Sequence, residues 1–433
     1  MMKTIHVALL GLGTVGSGTF EVIMERQKDL FVHKVGADIL VKTILVRHPD
    51  KYRSVVPDGV QLTADINDVL NDPAIDIVVE VMGGIEPAKT YILQALAASK
   101  SVVSANKDLI AVAGREIYAA AAKAGKDFMF EAAAMGAIPI VHPLMEGLSA
   151  NHIQEIVGIM NGTTNYILSK MAAEGWSYDQ ALTEATRLGY AEADPTADVE
   201  GYDAGRKVAI LANLAFHCPA VFDDVYIEGI TKVSAVDIDF ASRFGYVIKL
   251  LGIADQQEDG VALRVYPALI DKSHPLASVN DSFNAAFVRG DAVDEAMFYG
   301  RGAGKLPTAS AVVGDVIDIA RNIVCGCEGR LGDNTFASCH FLPIDEVKSS
   351  FFVRLSVKDT SGVLAQIGQA FGDADVSIAQ VVQDTIADSD LADLVIITHA
   401  VKERNFRRAL AAILATDVVQ AEESVIRVYG DVR

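Results

Sequence analysis

The chain has 433 residues, enough for roughly three domains at about 150 residues each. Apolar residues make up 51% and charged residues 22%, a globular composition that excludes a disordered chain. With 37 Lys and Arg against 57 Asp and Glu, the formal charge is −20, which argues against a phosphate-tracking nucleic-acid binder and against docking on an anionic membrane.

The first segment alternates strand-like and helix-like runs. Strands are predicted at residues 4–10, 39–46, 75–82, 101–105 and 127–131. Helices are predicted from Thr19 to about Leu30, at about 87–98 and at 114–124. Repeated βα alternation predicts a doubly wound parallel sheet of the α/β class. The middle mixes strands at 151–160, 225–233 and 262–270 with helices at 162–174, 177–188, 203–217 and 234–252, an α+β unit. Residues 306–323 read as a helix and 329–349 as a linker. In the last stretch, strand 352–357 is followed by the turn Asp359-Thr360-Ser361-Gly362, which offers helix-capping side chains. Strands at 376–382, 393–398 and 424–429 and a helix at 403–415 complete a ferredoxin-like βαββαβ order. No run of 18 apolar residues and no secretory leader is read, so no membrane span and a cytoplasmic setting are expected. Cys218, Cys325, Cys327 and Cys339 read as free thiols rather than a disulfide framework.

Five constellations carry chemistry. Gly11-Leu12-Gly13-Thr14-Val15-Gly16 follows a strand and opens a helix, the context a dinucleotide fingerprint requires. Gly11 permits the tight turn, Gly13 the approach of a pyrophosphate, and Gly16 close helix–strand packing. The second strand ends without the acid expected for NAD; Arg47 follows it, and Asp38 precedes it at the wrong end. Arg47 facing a 2′-phosphate favours NADP, with NAD and a solvated basic loop left open. Ser104-Ala105-Asn106-Lys107 follows a parallel strand, where loops face the ligand crevice. Asn161-Gly162-Thr163-Thr164-Asn165 suits a helix start or a polar ligand. Residues 189–207 crowd Glu192, Asp194, Asp198, Glu200 and Asp203 into one turn-rich segment. Asp203 and Lys207 are one helical turn apart and can pair, and the apolar run after Lys207 draws the lysine partly out of water. Finally, Gly300 to Thr308 only superficially suggests a P-loop: Tyr299 and Leu306 stand where that motif needs a glycine and a hydroxyl.

Together the stretches GLGTVG, SANK, EAAAMGAIPI, NGTTNYIL, LGYAEADPTADVEGYDAGRK and GRGAGKLPTASAVVGD closely resemble the homoserine dehydrogenase family, over essentially the whole chain. KDTSGVLAQIGQAF and VSIAQVVQ resemble an ACT domain. The resemblance implies a Rossmann domain at 1–131, completed by about 305–328, a substrate and dimerisation domain at 132–304, and an ACT regulatory domain at 350–433. It implies reversible NAD(P)H-dependent reduction of L-aspartate 4-semialdehyde to L-homoserine, in the threonine, methionine and isoleucine pathways. Lys207 and Lys107 would be catalytic, Glu192 and Asp203 would hold substrate, and Gly189 and Gly302 would join Gly11, Gly13, Thr14, Val15, Gly16, Arg47 and Lys107 at the cofactor. The resemblance further implies a monovalent cation, sodium, beside the Glu131 side chain and the carbonyls of Ala134, Gly136 and Ile138, although Met135 and Ala137 stand where the family favours glycines. It also implies a homodimer or homotetramer, and threonine as effector at Asp359–Gly362 and Ser377-Ile378. Two other readings are a cysteine-dependent semialdehyde dehydrogenase, which no cysteine position favours, and a non-catalytic NADP and amino-acid sensor, which would not need both lysines.

Overall fold

A computed structural model describes residues 3–26, 28–332, 337–386, 389–430 and 432. In chain order the first elements are β1 (Lys3–Leu10), α1 (Thr14–Glu21), α2 (Lys28–Val35), β2 (Ala37–Leu45), β3 (Gln61–Thr63), α3 (Asn67–Leu70), β4 (Ile77–Glu80), α4 (Ala88–Ala97), β5 (Ser101–Ser104), α5 (Lys107–Ala124), β6 (Phe128–Met129) and α6 (Glu131–Met135). There follow β7 (Ile153–Ile159), α7 (Gly162–Glu174), α8 (Tyr178–Arg187), α9 (Thr196–Val199), α10 (Tyr202–Phe216), β8 (Tyr226–Ile227), α11 (Ala235–Arg243), β9 (Tyr246–Gln257), β10 (Gly260–Asp271), β11 (Phe283–Gly290), β12 (Asp294–Arg301) and α12 (Lys305–Cys325). The last are β13 (Lys348–Lys358), α13 (Val363–Asp373), β14 (Ile378–Thr385), β15 (Leu391–Thr398), β16 (Val401–Lys402), α14 (Glu403–Leu414) and β17 (Val419–Tyr429).

The chain forms two compact units, one of Met1–Ile156, Arg206–Asp224 and Asn284–Cys339, the other of Val157–Gly205, Val225–Phe283 and His340–Arg433. In the first unit a parallel sheet runs in the order β3-β2-β1-β4-β5-β6. This is the doubly wound order, whose ligand crevice lies where the strand order reverses, beside β1 and β4. The central strands are buried on both faces: Ile77, Val78 and Val79 are fully covered, as parallel strands under two helical layers must be. α12 returns to this unit and contributes Val312, Val316 and Ile319 to its core.

In the second unit β9 and β10 form a long antiparallel pair, and β10 pairs β17 in parallel. β17, β13, β15 and β14 continue in that order, the arrangement a βαββαβ chain produces. α13 and α14 cover this module with Ile367, Phe371, Phe406 and Leu410, and the Phe351 and Phe406 rings stack at 3.8 Å between centroids. The segment 350–433 therefore shares a unit with 157–205 and 225–283, because β17 adds directly to the edge of β10.

Four local expectations change. Residues 246–252 are strand, not helix: Gly245, at φ +86°, stops α11, and the following apolar run enters β9. The first long helix divides into α1, a π-turn at Val22–Arg26 and α2, with residue 27 outside the described residues. Strands β11 and β12 were not signalled by any strong alternation. Of the 329–349 linker, residues 333–336 lie outside the described residues, and a 3-10 turn occupies Ile344–Glu346.

Candidate active site

The glycine loop is built as its spacing requires. The Gly11 amide donates to the Leu45 carbonyl at 2.9 Å, which sets the loop beside the end of β2. Gly11 has φ +107°, a conformation that favours glycine, and a Cβ on Gly16 would overlap the Gly11 carbonyl oxygen. Above Gly13 there is open space: nothing lies within 4 Å of a Cβ built there. No side chain caps α1, and no acid occupies its first turn, so its N-terminal amides, with Thr14 and Val15 in the first turn, suit an anion such as a pyrophosphate. Arg47 is exposed, two residues past Leu45 at this same end. Asp38 pairs with Thr4 at the opposite end of the sheet, as its position before the strand predicted.

Behind this crevice is a buried polar network that sequence reading missed. The fully buried Glu80 carboxylate accepts from Ser104 Oγ at 2.7 Å and from the amides of Met82 and Gly83 at 2.8 and 3.2 Å. Burial pushes its carboxyl above the usual range, against those hydrogen bonds. Ser104 Oγ in turn accepts from the Asn106 amide at 3.1 Å. Asn106 reaches both ways: its Nδ2 donates to the Gly84 carbonyl at 2.6 Å, and its Oδ1 caps α5 at Leu109. The network fixes the start of α5, where Lys107 is the first residue. Arg206 then bridges to Asp108 at 2.8 Å. That ion pair ties the opening turn of α5 to α10, so the residues flanking Lys107 and Lys207 are held together. Lys207 is 8% exposed, as the apolar run after it predicted.

In the second unit Asn161 organises the acidic segment. Its Nδ2 donates to Asp198 at 2.7 Å and to Asp203 at 2.9 Å, while its Oδ1 caps α7 at the Thr164 amide. The capping expected of this motif is present, and the clasp of two carboxylates is additional. Asp203 is buried. Thr163 Oγ1 donates to the Tyr190 carbonyl at 2.8 Å and anchors the loop carrying Gly189 and Glu192. Gly189 has φ +77°, and Glu192 is exposed.

The Glu131 loop is tightly determined. One carboxylate oxygen accepts from the amides of Ile140 and Val141 at 2.6 and 2.8 Å, the other from His142 at 2.8 Å. Gly136 has φ +62°, and a Cβ there would overlap the Gly302 carbonyl oxygen; a Cβ on Gly302 would overlap the Asn284 amide. Ala134 and Ile138 are buried around the turn. Because three amides occupy the Glu131 carboxylate, a cation at this loop would draw its direct ligands mainly from carbonyl oxygens. The P-loop remains excluded: Lys305 is engaged with Glu21 at 2.9 Å. In the C-terminal module, Gly362 (φ +95°) begins α13 with no side-chain cap, so the capping expected from Asp359 to Ser361 is not used. The Asp359 carboxylate instead accepts from Gln383 at 3.0 Å. All four cysteines are free. Among the described residues no helix is long and apolar enough to cross a membrane.

Comparison with known proteins agrees with this architecture. The NAD binding domain of homoserine dehydrogenase matches residues 11–131, the homoserine dehydrogenase family matches 139–317, and the ACT domain matches 351–417. The homoserine dehydrogenase of Synechocystis sp. is 48% identical, covering 99% of this chain and 100% of its own. A crystal structure of a homoserine dehydrogenase from Thiobacillus denitrificans superposes with a TM-score of 0.93 at 43% identity, over 100% of this chain and 99% of the other. A hyperthermophilic archaeal homoserine dehydrogenase mutant in complex with NADPH gives a TM-score of 0.63 at 26% identity, over 73% of this chain and 97% of its own. The chain belongs to the homoserine dehydrogenase family of NAD(P)-dependent oxidoreductases and carries a C-terminal ACT domain.

Proposed function

We propose that the protein reduces L-aspartate 4-semialdehyde reversibly to L-homoserine, preferring NADPH, within the threonine, methionine and isoleucine pathways. The observation that carries the reading is the Arg206–Asp108 bridge, which joins the helical turns bearing the two lysines. A bound nicotinamide supplies the hydride to C4 of the aldehyde. As that carbon is reduced, negative charge collects on its oxygen, and the Lys207 ammonium stabilises it and donates the proton. In the reverse direction the same amine takes the hydroxyl proton. Lys107 lies between cofactor and substrate and adds positive charge. Asp203, oriented by Asn161, and Glu192 hold the substrate ammonium. Gly11, Gly13, Thr14, Val15 and Gly16 receive the pyrophosphate, Gly189 and Gly302 line the cofactor, and Arg47 pairs with the 2′-phosphate.

A sodium ion would be held by the carbonyls of Ala134, Gly136 and Ile138, with Glu131 supplying negative charge and fixing the loop. The enzyme works in the cytoplasm as a homodimer or homotetramer, and threonine inhibits it through the ACT domain at Asp359–Gly362 and Ser377-Ile378. The test is NADPH consumption with L-aspartate 4-semialdehyde and NADP reduction with L-homoserine. Turnover in both directions is expected; no turnover with either substrate refutes the reading.

A further inference from the structure

Arg427 on β17 is 1% exposed and spans two carboxylates. Its Nε donates to Glu403 at 2.9 Å, and its Nη1 and Nη2 donate to the two oxygens of Glu228 at 2.7 and 3.1 Å. The guanidinium lies over the Tyr226 and Tyr266 rings, 5.3 and 4.6 Å from their centroids. Two-pronged charge-assisted bonding of this kind fixes orientation as well as distance. Glu228 is therefore held by the ACT domain on its side-chain end, while its amide donates to the Val265 carbonyl at 2.8 Å.

The next residues press on the acidic segment. A Cβ on Gly229 would overlap the Val199 carbonyl oxygen, and it would lie 2.6 Å from Glu200 Cα. The Ile230 amide donates to that same Val199 carbonyl at 2.8 Å, and Thr231 Oγ1 to Glu200 at 3.3 Å. Glu200 and Tyr202 line a cavity of about 500 Å³ together with Glu423 to Ile426 of β17. A Cβ on Gly201 would come within 3.0 and 3.1 Å of the Val265 and Ile227 side chains, so the turn rests on the 227–231 segment and the strand beside it. The turn lies between Asp198 and Asp203, the two carboxylates that Asn161 clasps.

We propose that Glu228 and Arg427 are positioning residues: through Gly229 and Ile230 their bridge sets the 199–203 turn and thereby the substrate-holding carboxylates. The inference rests on the assignment of Asp203 to substrate made above. It gives the ACT domain a direct mechanical route to substrate affinity, since moving β17 moves Glu228.

The test measures KM for L-aspartate 4-semialdehyde, KM for NADPH, kcat and Tm in Glu228→Gln, Arg427→Lys, Gly229→Ala and Asp203→Asn. Glu228→Gln leaves Arg427 paired with Glu403, so the fold is kept. The expected result is a rise of at least about threefold in the semialdehyde KM for Glu228→Gln and Gly229→Ala, with the NADPH KM unchanged. Arg427→Lys, which keeps the charge and loses the fork, should follow Glu228→Gln. If Asp203→Asn raises the semialdehyde KM but these three only lower Tm, the bridge is structural and the proposal is overturned. If Asp203→Asn itself leaves that KM unchanged, the assignment of the segment to substrate is what fails.

Discussion

Gly13 and Gly16 are three residues apart in one motif, yet the structure predicts opposite failures when each becomes Ala. At Gly16 the added methyl would overlap the Gly11 carbonyl oxygen and lie 3.2 Å from a Val81 methyl. Backbone cannot retreat as a flexible side chain can, so the cost is that of overpacking, about 1–3 kcal/mol. The gain in helix propensity from Gly to Ala offsets at most about 1 kcal/mol. At roughly 2–4 °C per kcal/mol for a unit of this size, Gly16→Ala should lower Tm by several degrees. At Gly13 nothing lies within 4 Å and φ is −75°, so Ala costs little stability, under about 1 kcal/mol. Its methyl instead occupies the space a pyrophosphate needs, and cofactor affinity should fall at least about tenfold, or 1.4 kcal/mol. Thermal melts with and without NADPH, together with the NADPH KM, separate the two. Gly13→Ala melting several degrees low, or binding NADPH normally, would refute the reasoning.

Other consequences are equally direct. Arg47→Ala should lower kcat/KM for NADPH relative to NADH by at least about tenfold, as loss of a charged phosphate contact does; an unchanged ratio removes Arg47 from the 2′-phosphate. Asn161→Asp should raise the semialdehyde KM, because a third carboxylate would then stand beside Asp198 and Asp203; an unchanged KM shows that the clasp is not needed. The hydrogen bond to Asp315, with the nearby carboxylates, raises His142 to about 9 despite its burial. The protonated form is favoured in the folded chain, so this stabilisation is full below about pH 6.5 and is lost as pH rises through about 9. Tm should fall over that alkaline window in the wild type and fall less in His142→Gln, and parallel curves for the two would contradict it. A chain ending near residue 345 should be poorly folded, because it strips β17 from β10 and leaves the fully buried Asp237 without its partner Arg354. A truncated protein with wild-type Tm would show the ACT domain to be detachable.

The parallel sheet was legible because strands buried on both faces read as short apolar runs between helical patterns. The ACT order was legible for a related reason, its strands being separated by clear helical periods. What was hidden depended on partners distant in sequence. β9 read as the end of a helix because its run from Ile248 to Ala254 is buried without alternation, and only the left-handed Gly245 marks the break. The joining of β17 to β10 brings together strands about 150 residues apart, and no local pattern announces it. In the candidate site, residue type and spacing singled out Lys107, Lys207 and Asp203, but on those grounds alone a surface lysine and a solvated acidic loop read better, and only the family resemblance gave them roles. Glu80 did not, since an acid closing a buried strand has no local sign of Ser104 twenty-four residues away. Asn161 was legible as a cap and not as a clasp, because its second role needs Asp198 and Asp203 across α7 and α8.

The most direct test of the catalytic assignment is the steady-state rate of Lys207→Ala with saturating L-aspartate 4-semialdehyde and NADPH, beside its NADPH affinity. Loss of a positioned proton donor should cut kcat by about 10²–10⁴-fold while NADPH affinity stays within about twofold. A Lys207→Ala enzyme with wild-type kcat would contradict the account.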